Sequence, residues 1–193
     1  MKNQVTKLSE VDFITSSWSG GTTTELFIYP KNSTYKERNF KVRLSSATVE
    51  LEESEFTKLE GIQRFITPLD SSLKLSHNNR KIIKLEPFEV YRFDGGIVTK
   101  SFGKARDFNL MLAQDIEGEL KNLYIPKKEI FKLQIMKGLN ILYSLNTEVK
   151  IQLNDTETLL SPNELLIIES DTLQPIQIYS LKNSHILLSR IFI

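Results

Sequence analysis

The chain has 193 residues, no cysteine and two histidines, and its 25 basic residues nearly balance its 24 acidic ones. The near-neutral charge argues against a nucleic-acid-binding protein, which normally gathers a basic excess on one face. Without cysteine, disulfides, thiolate catalysis, zinc ribbons and iron–sulfur clusters are excluded. The first residues lack the apolar core of a signal peptide, and no apolar run is long enough to span a membrane. We therefore expect a soluble cytoplasmic protein without nucleic-acid or membrane partners.

Short alternation of apolar and polar residues between turn residues predicts a nearly all-β chain. Residues 41–49 and 148–153 alternate with a period of two. In the C-terminal half, turn pairs recur about every 8–12 residues, which is typical of a β-sandwich or a small barrel. Residues 116–131 are compatible with a short helix or an extended linker, and Pro126 interrupts either one.

A glycine pair near the N-terminus, Gly20-Gly21, follows Trp18 and precedes a threonine run that ends at Glu25. Such a pair either brings backbone amides close to an anion or closes a hairpin. The Gly-Lys-Ser/Thr ending of a phosphate-binding loop is missing, so the sequence does not predict that kind of site.

Two arginines precede or lie within predicted strands. In the strand around residues 42–49, Arg43 shares one face with Ser45, Ala47 and Val49, whereas Val42 and Leu44 share the other. If the first face is inside a barrel, Arg43 is placed to bind a carboxylate in a bidentate way; the alternative is an exposed sheet face. Arg64 precedes an apolar strand and is either a second ligand-binding arginine or half of a surface ion pair.

A further polar stretch enters a strand at Asp107-Phe108-Asn109-Leu110-Met111. Asp107, Asn109 and Met111 fall on one side of it. The two polar residues either hold a ligand and orient an arginine, or cap a turn by bonding to local backbone.

The histidines predict no metal or catalytic centre. His77 and His185 are far apart, and neither belongs to a His-x-His or His-Glu-x-x-His cluster. His77 precedes Asn78-Asn79 in a predicted hairpin turn, where we expect it to be solvated. No Gly-x-Ser-x-Gly elbow supports a Ser–His–Asp triad.

The chain also matches itself. Residues 69–75 resemble residues 145–151, which lie 76 positions later, and residues 85–91 resemble residues 160–166, 75 positions later. This collinear match predicts two tandem β-barrels. We place the first at residues 1–116, carrying the ligand site, and the second at 117–193, mainly structural, with the N-terminal segment free to pack on the second. Pro87 and Pro162 are expected at the first residue of a strand, where proline removes no ladder hydrogen bond.

The motifs together resemble one known family. They are Trp18-x-Gly20-Gly21-x-x-Thr24-Glu25, Phe40-x-Val42-Arg43-Leu44-Ser45-x-Ala47-x-Val49, residues 56–64 with Arg64, and Asp107-Phe108-Asn109-Leu110-Met111. Their order and spacing resemble those of the HutD/Ves family. The resemblance implies an all-β bicupin, with two cupin-like (RmlC-like) barrels or jelly rolls in one chain. One departure is residues 55–61, which read EFTKLEG and lack both prolines of the usual family segment.

The resemblance also implies a function. HutD-type members are associated with histidine-utilisation genes and Ves-type members with cold or stress induction, and the family has no established catalytic activity. We expect a non-enzymatic protein without metal or cofactor that binds a small acidic metabolite, for example one from histidine breakdown. The expected ligand-binding residues are Arg43, Ser45, Arg64, Asp107, Asn109 and Glu25.

Two other functional classes stay open. One is a metal-independent cupin enzyme of the isomerase or epimerase type, in which Asp107, Glu25 or His77 supplies the base. The other is a purely structural or partner-binding module. A homodimer is compatible with the sequence.

Overall fold

The structure, a computed structural model, describes residues 4–193. These residues form nineteen β-strands and one short 3-10 turn, and they divide into two compact units. The central unit is Phe13–Ile116, and the terminal unit combines residues 4–12 with Glu117–Ile193. The prediction of a nearly all-β chain is confirmed. No helix within the described range has the length and hydropathy needed to cross a membrane.

The central unit consists of two antiparallel sheets. Its strands are β2 (Ile14–Trp18), β3 (Gly21–Tyr29), β4 (Val42–Val49), β5 (Glu53–Glu55), β6 (Ile62–Pro68), β7 (Leu73–His77), β8 (Lys81–Leu85), β9 (Tyr91–Asp94), β10 (Thr99–Phe102) and β11 (Ala105–Ala113). One sheet has the order β2-β3-β4-β11-β6-β9 and the other the order β5-β10-β7-β8.

The terminal unit also consists of two antiparallel sheets. It contains β1 (Gln4–Leu8), the 3-10 turn (Glu10–Asp12), β12 (Glu117–Ile125), β13 (Ile130–Ile135), β14 (Gly138–Ser144), β15 (Val149–Leu153), β16 (Thr156–Leu160), β17 (Leu165–Ser170), β18 (Gln174–Ser180) and β19 (Ser184–Phe192). The sheets have the orders β1-β17-β14-β19-β12 and β13-β18-β15-β16.

The two units repeat one strand arrangement. The order β5-β10-β7-β8 corresponds to β13-β18-β15-β16, and β4-β11-β6-β9 corresponds to β12-β19-β14-β17. Strands β7 and β15 begin 76 residues apart, and β8 and β16 begin 75 residues apart. These are the offsets of the internal sequence match, which therefore covers the same hairpin in each unit.

The helical alternative for residues 116–131 is wrong. This segment forms β12, which pairs along its whole length with β19. Strand pairing supplies the backbone hydrogen bonds that a short, weakly periodic segment would otherwise have to make within a helix. Pro126 follows the last residue of β12, because proline has no N–H to continue the ladder.

The expected role of the two repeated prolines is also wrong in detail. Pro87 and Pro162 lie in the tight turns before β9 and β17 and not in the strands themselves. The next residues, Phe88 and Asn163, have φ values of 69° and 62°. Proline followed by a positive φ is the pattern of a type II turn. In each turn the glutamate that follows accepts a hydrogen bond from the first backbone N–H of the turn, which explains the repeated Pro-x-Glu.

The interiors of the two units differ in composition. The terminal unit is filled by a large aliphatic cluster that includes Leu142, Ile178 and Leu188. The central unit has a smaller apolar cluster around Ile66, Leu75 and Phe93. A second apolar cluster of this unit contains Phe40, Leu59, Ile62 and Met111. The interior also contains buried polar and charged side chains, which must be paired or hold a ligand to offset their lost hydration.

Two glycines near the starts of β6 and β14 differ in their surroundings. Gly61 and Gly138 have positive φ values of 74° and 105°. A Cβ on Gly138 would lie 2.2 Å from the backbone oxygen of Ile191, whereas the nearest atom to a Cβ on Gly61 is 3.9 Å away. We expect Gly61→Ala to cost about 1 kcal/mol through φ alone and Gly138→Ala to cost about 2–4 kcal/mol through φ and overlap. Urea denaturation measures both, and equal losses would contradict this assignment.

Candidate functional site

The inner face of the six-stranded sheet places the predicted site residues in cross-strand rows. Arg43 of β4 and Arg64 of β6 both lie opposite Met111 of β11. Two residues further along the strands, Ser45 lies opposite Asn109. Because side chains alternate between the two faces of a strand, these residues share one face.

The next row continues the same face. Asp107 of β11 lies opposite Ala47, and Val49 of β4 follows two residues later. The intervening Val42 and Leu44 lie on the other face and are fully buried. The predicted partition of β4 into two faces is therefore what the structure shows.

These rows border a cavity of about 290 Å³ inside the central unit. Five of the six predicted ligand-binding residues line it: Arg43, Ser45, Arg64, Asp107 and Asn109. The sixth, Glu25, lies behind Arg43 as its ion-pair partner. Asp107 and Asn109 lie in the middle of β11, so the alternative that they cap a turn is wrong.

Arg43 is held in a defined orientation. Its Nε donates to Glu25 Oε2 at 2.7 Å, and its Nη1 donates to Ser45 Oγ at 3.0 Å. The ring of Tyr35 lies 4.4 Å from the guanidinium carbon, a cation–π distance. The side chain is 5 % exposed, so the alternative of an exposed sheet face is wrong.

Arg64 is buried to the same extent but is less well compensated. Its Nη2 donates to Asn109 Oδ1 at 2.9 Å, and Phe56 and Phe93 lie 4.6 and 5.3 Å from its guanidinium carbon. Its Nε has no hydrogen-bond partner among the described residues. Burial lowers its pKa to about 10, an effect that nearby Tyr35 and Asp107 oppose. Arg64 is thus not half of a surface ion pair.

Asp107 is joined to Arg64 through Asn109. The amide nitrogen of Asn109 donates to Asp107 Oδ1 at 2.6 Å, while its amide oxygen accepts from Arg64. Burial raises the pKa of Asp107 to about 7, although Arg64, the Ala47 N–H and Asn109 all favour the carboxylate. Near neutral pH this group therefore exchanges a proton inside the cavity.

The buried end of the cavity carries an excess of positive charge. Two guanidinium groups face the carboxylate of Glu25 and the carboxyl group of Asp107, whose pKa is raised by burial toward its neutral form. Glu55 also lines the cavity, but it is exposed and screened by solvent. Like charges held close together in a buried site favour an anion between or beside them.

The terminal unit is apolar at the positions equivalent to Asp107 and Asn109. Strand β19 places Ile186 and Leu188 where β11 places Asp107 and Asn109, as the matching registers of the two sheets show. Both are fully buried members of the aliphatic cluster. The Asp107–Asn109 pair is therefore a feature of one copy of the repeat, whereas the row of Arg43 and Met111 corresponds to the ion-paired row of Glu119 and Arg190.

The expectation that His77 is solvated is wrong. Asn78 and Asn79 have positive φ values and form the predicted hairpin turn, yet the His77 ring is half-buried beside Phe93. Its two nitrogens lie within hydrogen-bond distance of Thr99 Oγ1 and Tyr91 Oη. Strand alternation turns this last residue of β7 inward, although the turn that follows is exposed. His77 is not among the cavity-lining residues.

Three aromatic residues of the cavity had been assigned no role from the sequence. Tyr35 and Phe56 stack on the two arginines, and Trp18 lines the cavity. Tyr35 lies in the irregular segment between β3 and β4, where no periodicity indicates its direction. Trp18 and Phe56 lie in motifs that the sequence comparison singled out. Because an aromatic ring stabilises a nearby arginine through a cation–π contact, the nearness of Phe56 to Arg64 in the same motif could have indicated its role.

A sequence profile of the HutD family matches residues 10–188. The chain belongs to the HutD family. No curated protein sequence matches it.

Solved structures share the fold of this HutD-family chain. A conserved protein of unknown function from Pseudomonas aeruginosa, PA5104, has a TM-score of 0.85 at 21 % identity, covering 97 % of this chain and 98 % of its own. HutD from Pseudomonas fluorescens has a TM-score of 0.75 at 20 % identity, covering 98 % and 100 %. The Escherichia coli pirin YhhW, solved with nickel(II), has a TM-score of 0.71 at 11 % identity, covering 96 % and 98 %. The cupin-like fold predicted from the sequence is confirmed.

The residues of this HutD-family cavity do not fit a metal ion. Among residues 4–193, no group of three or more histidine, cysteine, aspartate or glutamate side chains could hold one. The donors that line the cavity include two cationic guanidiniums, which repel a cation.

Proposed function

We propose that this HutD-family chain binds a small acidic metabolite in the cavity of the central unit and acts as a binding protein with a regulatory role. One observation carries the proposal: two arginines, each only 5 % exposed, line a single cavity of about 290 Å³. Guanidinium groups recognise carboxylates through charge-assisted hydrogen bonds. A bound carboxylate would supply the negative charge that the protein leaves uncompensated.

The surrounding residues support a defined orientation of the ligand. Glu25 and Ser45 hold Arg43 in place, so little side-chain entropy is lost when the ligand binds. The amide oxygen of Asn109 accepts a hydrogen bond from Arg64 and positions it, while its amide nitrogen donates to Asp107. Asp107 supplies a hydrogen-bonding group further along the cavity, suited to a basic or N–H group of the ligand. Family membership supports ligands from histidine breakdown, such as formylglutamate or formiminoglutamate.

Calorimetry tests the proposal directly. Wild type is titrated with formylglutamate, formiminoglutamate, glutamate and urocanate, and so is Arg43→Ala. A charge-assisted pair contributes about 1.5–3 kcal/mol, so we expect Arg43→Ala to bind about 10- to 150-fold more weakly. Arg190→Ala is the matched control, because Arg190 forms a similar part-buried ion pair with Glu119 in the terminal unit.

Its outcomes separate the functional classes. Binding that survives Arg43→Ala unchanged, or an absence of binding by wild type, would overturn the proposed site.

A metal-independent enzyme is the second candidate, since Asp107 is a buried proton-exchanging group that lines the cavity. Nuclear magnetic resonance of the same mixtures in D₂O would reveal an enzymatic activity as deuterium incorporation or as chemical change in the ligand.

A further inference from the structure

The rim of the cavity is formed in part by the β2–β3 hairpin. Trp18, the last residue of β2, lines the cavity and is 39 % exposed. Thr23 of β3 lines it as well. Trp18 is the single tryptophan of the chain. An exposed aromatic ring at the edge of a cavity is a surface that a ligand can cover with a gain in free energy.

Two glycines set the position of this ring. A Cβ on Gly20 would lie 2.1 to 2.9 Å from three atoms of the six-membered ring of Trp18, so the indole lies directly against the backbone of the turn. A Cβ on Gly21 would lie 1.9 Å from the backbone oxygen of Thr48, so the turn is seated against β4. The pair therefore closes the hairpin and also makes room for the indole.

Trp18 lies at the opposite end of the cavity from the arginines. It pairs with Gly21, which pairs with Val49, six residues along β4 from Arg43. At about 3.3 Å per residue the two backbone levels are roughly 20 Å apart. A ligand that contacts both the arginines and the indole must therefore be longer than a one-carbon carboxylate.

We propose that Trp18 determines specificity for the end of the ligand remote from its carboxylate, and that this end carries a flat amide or unsaturated group that stacks on the indole. The proposal rests on the proposed function, because the carboxylate must first be held by Arg43 and Arg64. Offset stacking of planar groups is favourable because the face and the edge of an aromatic ring carry opposite partial charges. The ligand is therefore elongated and carries its planar group away from the carboxylate that the arginines bind.

A matched pair of probes tests the proposal: formylglutamate, and glutarate, which has the same two carboxylates without the formamide group. Trp18→Ala is expected to weaken formylglutamate about 3- to 10-fold and to leave glutarate within about twofold. Trp18→Phe should keep most of the affinity. Formylglutamate should also change the fluorescence of wild-type Trp18, and glutarate should not.

Gly20→Ala provides a second variant that retains the tryptophan but displaces its ring. The same selective loss for formylglutamate is expected, while urea denaturation and circular dichroism report whether either variant has lost its fold. Equal affinities of wild type and folded Trp18→Ala for formylglutamate, or equal losses for both probes, would overturn the role of Trp18 alone. Failure of wild type to bind either probe would instead overturn the proposed function together with this inference.

Discussion

Arg64→Met is expected to weaken carboxylate binding about 10- to 150-fold while making the protein more stable. Burial lowers the pKa of Arg64 from its ordinary value to about 10, which corresponds to a cost on the order of 3 kcal/mol for keeping the charge. Its Nε is buried without a partner. Methionine has a similar length and no charge, so this cost disappears. The Asn109 oxygen loses one donor, at a cost of about 1 kcal/mol.

The net gain in the free energy of unfolding should be about 1–2 kcal/mol by urea denaturation at pH 6. Arg190→Met is the control, since it leaves Glu119 of a part-buried pair without its guanidinium partner and should lower stability. Opposite signs for the two variants would identify Arg64 as a charge kept for a ligand. A similar loss of stability in both would show that Arg64 serves the fold instead.

Asp107→Asn is expected to remove a decline in stability that wild type shows as the pH rises from about 4 to about 8. The folded-state pKa of about 7 lies above the ordinary value of 3.8 because the carboxyl is buried. In that interval the folded protein holds the proton longer than the unfolded chain does, so ionisation favours unfolding. A shift of about 3 pKa units corresponds to roughly 4 kcal/mol, fully lost above the folded pKa.

Urea denaturation of both proteins at pH 5, 6, 7 and 8 measures the effect as a difference in the free energy of unfolding between variant and wild type. The contributions of the other titrating groups cancel in this difference. The asparagine variant should gain on wild type progressively toward pH 8. Carboxylate affinity should fall over the same interval in wild type, since the ionised Asp107 reduces the positive potential near Arg64, and should be constant in the variant. A pH-independent difference in stability would contradict a raised pKa, whatever its effect on binding.

Much of the site could be predicted because strand alternation is a local property. Once residues 42–49 alternate, Arg43 and Ser45 must share a face, and the same holds for Asp107 and Asn109 in β11. The repeat offset likewise follows from the sequence alone, because equivalent hairpins use equivalent turn residues. What alternation cannot show is which of the two faces is buried.

The predictions that failed depended on neighbours distant in sequence. Residues 116–131 had no strong pattern of their own, and it is the pairing of β12 with β19 that makes them a strand. His77 precedes an exposed turn, yet its ring is covered by Tyr91 and Phe93 of another strand. Glu25, by contrast, stays a predicted ligand-binding residue: it lies opposite Ser45 in the β3–β4 register and its side chain forms an ion pair with Arg43.

From the sequence alone, the β alternation and the internal repeat predicted a β protein of two similar units, and the absence of cysteine excluded disulfides and thiolate chemistry. Only the tertiary structure decided that Arg43 and Arg64 meet around one cavity, that aromatic rings cover them, and that Asp107 titrates near neutral pH. The reason is physical. Facing direction follows from the local backbone period, whereas burial, charge compensation and pKa depend on atoms that only folding brings together.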